Sequence, residues 1–344
     1  MTNRIRNIVS LILCATVFCV AVFQLGGLKV YAEEPVVVVI DPGHGGKNLG
    51  TDYLSIPEKA YTLMVALYMK EHLETYQNVK VYMTRTQDID VDLEDRAEFA
   101  KSVNADFLFS LHFNMSLSHT LYGSEVWIPS TGTLYSQAYS AGNEFMKQFE
   151  EMGLFNRGIK TRIGDRGDYY GIIRHCTTRN IPSIIVEHCH VDNVNDIANI
   201  QSPEKLKEFG IRDAEAVAKY FGLTSKDNKT DYSTYAPLAV PTPASIVYND
   251  TTPPEYVTAK LVKYDKTSKY ATVELTAIDN ESALQYYAFS CDNGTTWSTF
   301  QPWKRGVNTM TATVNLGLGK KTNVLFKVSN IYDRETTSNV LTLN

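Results

Sequence analysis

Three apolar runs, each ending on a residue that can do chemistry, most constrain what this chain can fold into. Val36-Val37-Val38-Val39-Ile40 leads straight into Asp41-Pro42-Gly43-His44-Gly45-Gly46, the run from Asp106 ends on His112, and Ile181–Val186 ends on Glu187. Unbroken apolar runs of this length read as strands buried on both faces, the habit of parallel sheets covered by helices. Ligand sites collect at the carboxyl ends of such strands. The pattern predicts strands over Val36–Ile40, Val79–Arg85, Asp106–His112, Ser124–Pro129, Tyr170–Arg174 and Pro182–Glu187. Helices are predicted over Glu58–Leu73, Leu93–Val103, Tyr135–Glu150 and Pro203–Phe221; Ala138, Ala141, Phe145 and Phe149 mark one buried helical face. The expected fold is α/β, a mixed twisted sheet flanked by helices, spanning residues 33–222.

The flanks differ in kind. Residues 1–32 have a basic start (Arg4, Arg6), an apolar stretch from Ile8 to Leu25 and small residues before Glu33. This reads as a secretory signal peptide cut after Ala32, which predicts an exported protein, secreted or associated with the cell wall. An uncleaved anchor is the second reading, and the chain meets a membrane only in that case. Removing Arg4, Arg6 and Lys29 takes the net charge from −5 to −8, which excludes a generally basic nucleic-acid binder. Three cysteines remain, Cys176, Cys189 and Cys291. That is no disulfide framework, and Cys176 with Cys189 is the one pair worth suspecting.

Residues 223–254, rich in Ser, Thr, Asp and Pro, read as an extended linker. Residues 255–344 alternate with period two at Val273/Leu275/Ala277, Val314/Leu316, Val324/Phe326/Val328 and Val340/Thr342, with Asp292-Asn293-Gly294 as a turn. They predict a small all-β sandwich of immunoglobulin or fibronectin type. Trp297, Trp303, Tyr286 and Tyr287 read as sandwich core in preference to a sugar-stacking face.

The chemistry-bearing residues admit more than one reading when taken singly. His44, wedged between glycines, has a ring free to reach a metal, although turn histidines are often inert. Ser55-Ile56-Pro57-Glu58 is a capping-box pattern with Glu58 at N3. His112 at a second strand end changes the balance, since two histidines and one carboxylate suit a zinc site with an open position. A carboxylate after so apolar a run as Ile181–Val186 is either costly or functional, and zinc-water chemistry needs a base such as Glu187.

Together these anchors resemble the zinc-dependent N-acetylmuramoyl-L-alanine amidases of the type 3 family. The resemblance covers residues 36 to about 220. Its motifs are I-D-P-G-H-G-G, P-E-K at 57–59, T-R-T-Q-D at 84–88, L-E-D-R-A at 93–97, N-A-D-F-L-F-S-L-H-F-N at 104–114 and I-P-S-I-I-V-E at 181–187. It implies one zinc held by His44, Glu58 and His112, with Glu187 as the catalytic carboxylate. The substrate it implies is peptidoglycan, cut between N-acetylmuramic acid and L-alanine. Arg174 and Asn114 are candidate substrate-binding residues, with a structural role an even alternative for each. Arg85 and Arg96 read as structural ion pairs, and Asp41 as a turn former or a support for a ligand histidine.

The sequence departs from the family pattern after Glu187, where His188-Cys189-His190 follows. Strand alternation turns His188 away from Glu187, so core or surface is the better reading for both histidines. If the strand continues, Cys189 shares the side of Glu187 and could bridge to Cys176. Two other functions compete: an exported zinc peptidase acting on stem peptides, and an inactive wall-binding surface protein. The β region is a candidate site for a wall polymer or an envelope regulator.

Overall fold

The computed structural model describes residues 34–53, 56–315 and 322–343. The expected signal peptide, Ser55 of the capping-box pattern and Leu316 lie outside the described residues. Among those described, no helix is long and apolar enough to cross a membrane.

Six strands form the central sheet: β1 (Val36–Pro42), β2 (Val79–Met83), β3 (Phe107–Asn114), β4 (Ser124–Trp127), β5 (Asn156–Lys160) and β6 (Ser183–His190). Their spatial order is β2-β1-β3-β6-β4-β5. The first four are mutually parallel, β4 runs antiparallel to β6, and β5 runs parallel to β4. The sheet is therefore mixed and mostly parallel, as the apolar runs predict.

Five helices cover it: α1 (Glu58–Leu73), α2 (Leu93–Ser102), α3 (Gly132–Glu151), α4 (Gly171–Thr178) and α5 (Pro203–Phe221). Strand alternation divides the core. Val38, Ile40, Phe107, Phe109, Ile184 and Val186 face α1, α3 and α5. Val39, Leu108 and Ile185 face the two short helices α2 and α4. The ends of α5 show why it starts and stops where it does. Ser202 caps the Lys205 N–H ahead of Pro203 at the first position, and Gly222 closes the helix at φ 64°.

Tyr170–Arg174, expected as a strand, instead opens helix α4. Ile172, Ile173 and Cys176 fall on one helical face and are buried there; a run this short has no decisive period. Strand β5, on the sheet edge, was missing from the expected set because Asn156-Arg157-Gly158-Ile159-Lys160 is too polar to read as a strand.

Residues 223–254 carry almost no regular structure yet do not hang free. The Tyr232 hydroxyl donates to Glu215 at 2.5 Å, Tyr235 to Glu144 at 2.6 Å, and the Val247 N–H to the Ser130 carbonyl at 2.8 Å. This stretch is a strap laid over α3 and α5. Beyond it, β7 (Tyr256–Asp265), β8 (Tyr270–Ile278), β9 (Leu284–Ser290), β10 (Gln301–Pro302), β11 (Thr309–Asn315), β12 (Thr322–Asn330), β13 (Glu335–Thr337) and β14 (Leu341–Leu343) build the all-β region. One sheet has the order β7-β8-β11, the other β10-β9-β12-β13 with β14 also on β12. Trp303 is buried in the sandwich core with Tyr287 packed against it, whereas Tyr286 is buried outside that core, against Tyr122 and Phe155 of the α/β region, with Trp297 packed on the same cluster.

Asp41 anchors the strand end of β1. Its carboxylate is buried and accepts from Arg96 Nη1 at 2.7 Å, Ser110 Oγ at 2.7 Å and Thr84 Oγ1 at 2.5 Å. Burial alone would raise its pKa, but the Arg96 charge and these hydrogen bonds outweigh that and hold it below the ordinary value of 3.8. Asp41→Asn leaves Arg96 buried without its counter-charge and should cost about 3–5 kcal/mol at pH 7. A carboxyl depressed in the folded state stabilises fully above its unfolded pKa and ceases to as pH falls through the folded value. Urea melts of both proteins should therefore differ at pH 7 and converge as pH drops below 3.8; equal stability at pH 7 would show that the pair does not hold the loop.

Candidate active site

The carboxyl ends of β1, β3 and β6 meet on the face covered by α2 and α4, whose shortness leaves the strand ends open. Just past β1, His44 sits at φ 61° between Gly43 and Gly45. Arginines shape this loop from beneath: Arg85 donates to the Pro42 carbonyl at 3.0 Å and the Gly43 carbonyl at 2.8 Å, and Arg96 to the His44 carbonyl at 2.7 Å. Arg96 makes the expected structural ion pair, with Asp41; Arg85 is structural through backbone carbonyls and makes no ion pair among the described residues. Gly43 is required by close approach, because a Cβ there would lie 2.3 Å from the His112 ring.

Glu58 is the first residue of α1. The N-cap is Pro57, with no side-chain cap, so Glu58 occupies N1 and the capping-box expectation, which put it at N3, does not hold. Its carboxylate instead turns into the site, 2% exposed. Oε2 accepts from the Thr51 N–H at 2.8 Å and Oε1 from the Phe113 N–H at 2.9 Å. His44 Nε2 lies 3.1 Å from Oε2, and His112 Nδ1 lies 3.0 Å from Oε1. The two imidazoles meet edge to face, with centroids 4.7 Å apart.

Burial opposes the Glu58 charge, but hydrogen bonds and charge from His112 and His44 hold its pKa well below the usual carboxylate range. Burial likewise lowers that of His44, and Glu58 more than reverses it. The electrostatics call for a cation. His44 Nδ1 faces Asn48 Oδ1 at 2.9 Å; if it donates there, a neutral ring presents a bare lone pair to a carboxylate oxygen. A proton or a metal ion must sit between. One donor atom from each of His44, Glu58 and His112 lies within 4.8 Å of the others, the one such cluster among the described residues. Tetrahedral zinc separates its donors by about 3.3 Å, near the two contacts observed, so the donor set fits that ion.

Glu187 pairs in register with His112 on one side and Glu125 on the other. Its Oε2 is enclosed without a hydrogen-bond partner. Burial first, then the Glu58 and Glu125 charges, push its pKa well above the ordinary value. A cleft of about 290 Å³ opens beside His44 and His112, lined also by Asp90, Asp92, Tyr170 and Ile185 among others; Glu187 is not one of its lining residues. Arg174 lies on α4, half-buried, with Nη1 donating to the Asp168 and Tyr169 carbonyls at 2.9 and 3.0 Å. Asn114 extends β3 beyond His112 and donates from Nδ2 to Glu125 Oε1 at 2.9 Å.

His188 and His190 are both core residues. His188 points to the opposite face and bridges the His112 carbonyl and Asp213, each at 2.8 Å. Burial, with Arg157 nearby, pushes the His190 pKa down to about 3. All three described cysteines are free. A register shift after Glu187 turns Cys189 into the α1/α3/α5 core, while Cys176 packs on the other face, so the suspected bridge is absent. Glu125 escaped the sequence reading, although a carboxylate inside the strand Ser-Glu-Val-Trp raises the same question as Glu187.

Two imidazoles and a buried carboxylate gathered at strand ends, beside a second enclosed carboxyl, are the side chains of a metal-dependent hydrolase. Residues 38–219 match the family described as N-acetylmuramoyl-L-alanine amidase. The chain is 30% identical over 191 residues to the N-acetylmuramoyl-L-alanine amidase CwlM of Bacillus licheniformis, covering 55% of this chain and 70% of that protein. It is 28% identical over 189 residues to the sporulation-specific N-acetylmuramoyl-L-alanine amidase of Bacillus subtilis, 55% of this chain and 69% of that one. Among solved structures, Cwp6 from Clostridium difficile matches with TM-score 0.50 and 31% identity over 57% of this chain, which spans 30% of Cwp6. This chain belongs to the N-acetylmuramoyl-L-alanine amidase family, enzymes of peptidoglycan hydrolysis whose place of work is the cell envelope.

Gly43→Ala drives a methyl group into the His112 ring. It should weaken binding of a metal ion at least tenfold, roughly the lower bound for losing the support of a ligand. Titration against a competing chelator checks this; unchanged affinity would mean that the close approach does not position His112.

Proposed function

We propose that His44, Glu58 and His112 hold one zinc ion and that Glu187 is the catalytic carboxyl. The amide joining N-acetylmuramic acid to L-alanine is the bond hydrolysed. Bound zinc would supply Lewis acidity and a water that ionises near neutral pH. The observation that carries the reading is the convergence of His44 and His112 on the buried Glu58, with the partnerless Glu187 carboxyl beside them. Glu58, fixed by the Thr51 and Phe113 amides, brings negative charge that favours a dication. Asn48 orients His44, as outer partners of ligand histidines commonly do.

Glu187 takes the proton of the attacking water and returns it to the departing L-alanine nitrogen. A carboxyl whose pKa burial raises holds an accepted proton more readily before passing it on. Arg174, which uses only Nη1 in hydrogen bonds within the protein, is our candidate for holding a substrate carboxylate or carbonyl. Asn114, the other candidate, has its side chain engaged by Glu125 and the Met115 amide, which favours the structural alternative. Residues 33–222 would be the catalytic portion of an exported protein, 223–254 its strap, and 255–344 a β module that could also meet a wall polymer.

The test is digestion of purified peptidoglycan by the protein beginning at Glu33. New L-alanine amino termini without new reducing sugar ends are expected, abolished by chelation and restored by zinc. Glu187→Gln should retain zinc and lose activity by about 10²–10⁴-fold, the range for a general acid–base group. New termini at other residues would assign a peptidase, and an active Glu187→Gln would remove Glu187 from the reaction.

A further inference from the structure

The β region reaches the active site through charge. Glu125, opposite Glu187 in the strand register, is bound at all four of its acceptor positions. Oε1 accepts from Asn114 Nδ2 at 2.9 Å and Trp127 Nε1 at 3.2 Å; Oε2 accepts from Arg157 Nε at 2.8 Å and Lys160 Nζ at 2.6 Å. Arg157 in turn donates from Nη2 to Asp333 at 2.9 and 3.3 Å and from Nη1 to the Tyr286 hydroxyl at 3.3 Å. Asp333 and Tyr286 belong to the β region. The side chains of Glu125, Arg157 and Lys160 are 4%, 2% and 1% exposed. Two buried cations against one buried anion leave an excess positive charge, and Asp333 cancels it.

Asp333 arrives pre-set. It sits at φ 60° in a turn held by Asn330, whose Oδ1 accepts from the Tyr332 and Arg334 amides at 3.0 Å each. Asn330 is itself fully buried and donates to Asp250 and Asp279 at 2.8 and 3.0 Å.

We propose that Asp333 is a positioning residue for hydrolysis, locking the Arg157 guanidinium in the orientation that keeps Glu125 saturated and therefore away from the Glu187 carboxyl. Glu187 has an enclosed oxygen with no partner of its own. A Glu125 released from any of its four donors would have a free acceptor directly across the strand pair, where facing side chains come within about 5 Å. The two carboxyl groups would then share one proton, and Glu187 could no longer take the proton of the attacking water. Without Asp333, Arg157 keeps only neutral partners in the β region, the Tyr286 hydroxyl and the Gln285 amide oxygen at 3.0 Å, and can rotate to grip Glu125 by a second nitrogen and draw it from Lys160, Asn114 and Trp127. The β region would then be part of the catalytic unit as well as an appendage to it.

This inference rests on the reading of Glu187 as the catalytic carboxyl, so Glu187→Gln is measured alongside. The assay follows kcat and KM on a soluble N-acetylmuramoyl-L-alanine peptide, with zinc content and thermal midpoint, for the protein beginning at Glu33. Asp333→Asn should lower kcat about tenfold, as sub-ångström misplacement of a reacting group does, with KM within about twofold, zinc content unchanged, and Asp333→Glu recovering most of the rate. Arg305→Gln breaks another contact between the same two regions, to the Asn156 carbonyl at 2.6 Å, and should leave kcat unchanged. In a Glu125→Gln background, Asp333→Asn should cost nothing further; Arg157→Lys replaces that background if Glu125→Gln does not fold. Wild-type kcat in Asp333→Asn, or the same loss in both backgrounds, would overturn the proposal. A fully active Glu187→Gln would instead overturn the reading beneath it.

Discussion

The Glu58 carboxylate is the point on which the rest of this structure depends. Two imidazoles, one from the loop after β1 and one from β3, and two backbone amides, Thr51 in a loop and Phe113 in β3, all meet a group that is almost wholly out of water. A buried carboxylate is tolerable only when it is fully hydrogen-bonded and faced by positive charge. The fold satisfies the first condition with Thr51 and Phe113 and leaves the second to a cation shared with His44 and His112. The surrounding construction serves that geometry: Asp41 and Arg96 pin the end of β1, Arg85 and Arg96 hold the loop carbonyls, and Gly43 lets the His112 ring lie against the backbone.

A second requirement follows from crowding carboxyl groups into one sheet edge. Glu58, Glu187 and Glu125 stand in neighbouring positions, and their repulsion is managed differently for each. Glu58 is charged and faces the histidines. Glu187 has its pKa raised by burial and by the charges of the other two. Glu125 is charged and faced by Arg157 and Lys160, with Asp333 of the all-β region on the far side of Arg157. One environment thus treats three carboxyl groups in three ways.

The central architecture was legible because β1, β3 and β6 are buried on both faces and must be apolar until the sheet ends. The polar residues that follow each run therefore mark the edge, and His44, His112 and Glu187 stand out among them. Glu58 was less clear from sequence, since a glutamate near a helix start caps a helix as readily as it faces a metal. Only the start of α1 at Glu58 separates the two readings. Gly171–Thr178 misled because isoleucines and tyrosines in a short run suit a strand, and burial against Ala97 and Ala100 decides otherwise. The Glu125–Arg157–Asp333 chain was invisible because its members lie 32 and 176 residues apart and carry no local pattern. The strap over 223–254 was hidden in the same way, since its composition is that of a tether and only its tyrosine contacts make it otherwise.

Anomalous diffraction at the zinc edge from metal-loaded crystals tests the account most directly. It predicts one ion per chain, about 2.0–2.2 Å from a donor atom of each of His44, Glu58 and His112, with the Glu187 carboxyl beside it but not bound. An ion seated elsewhere, or one held without Glu58, would contradict the account.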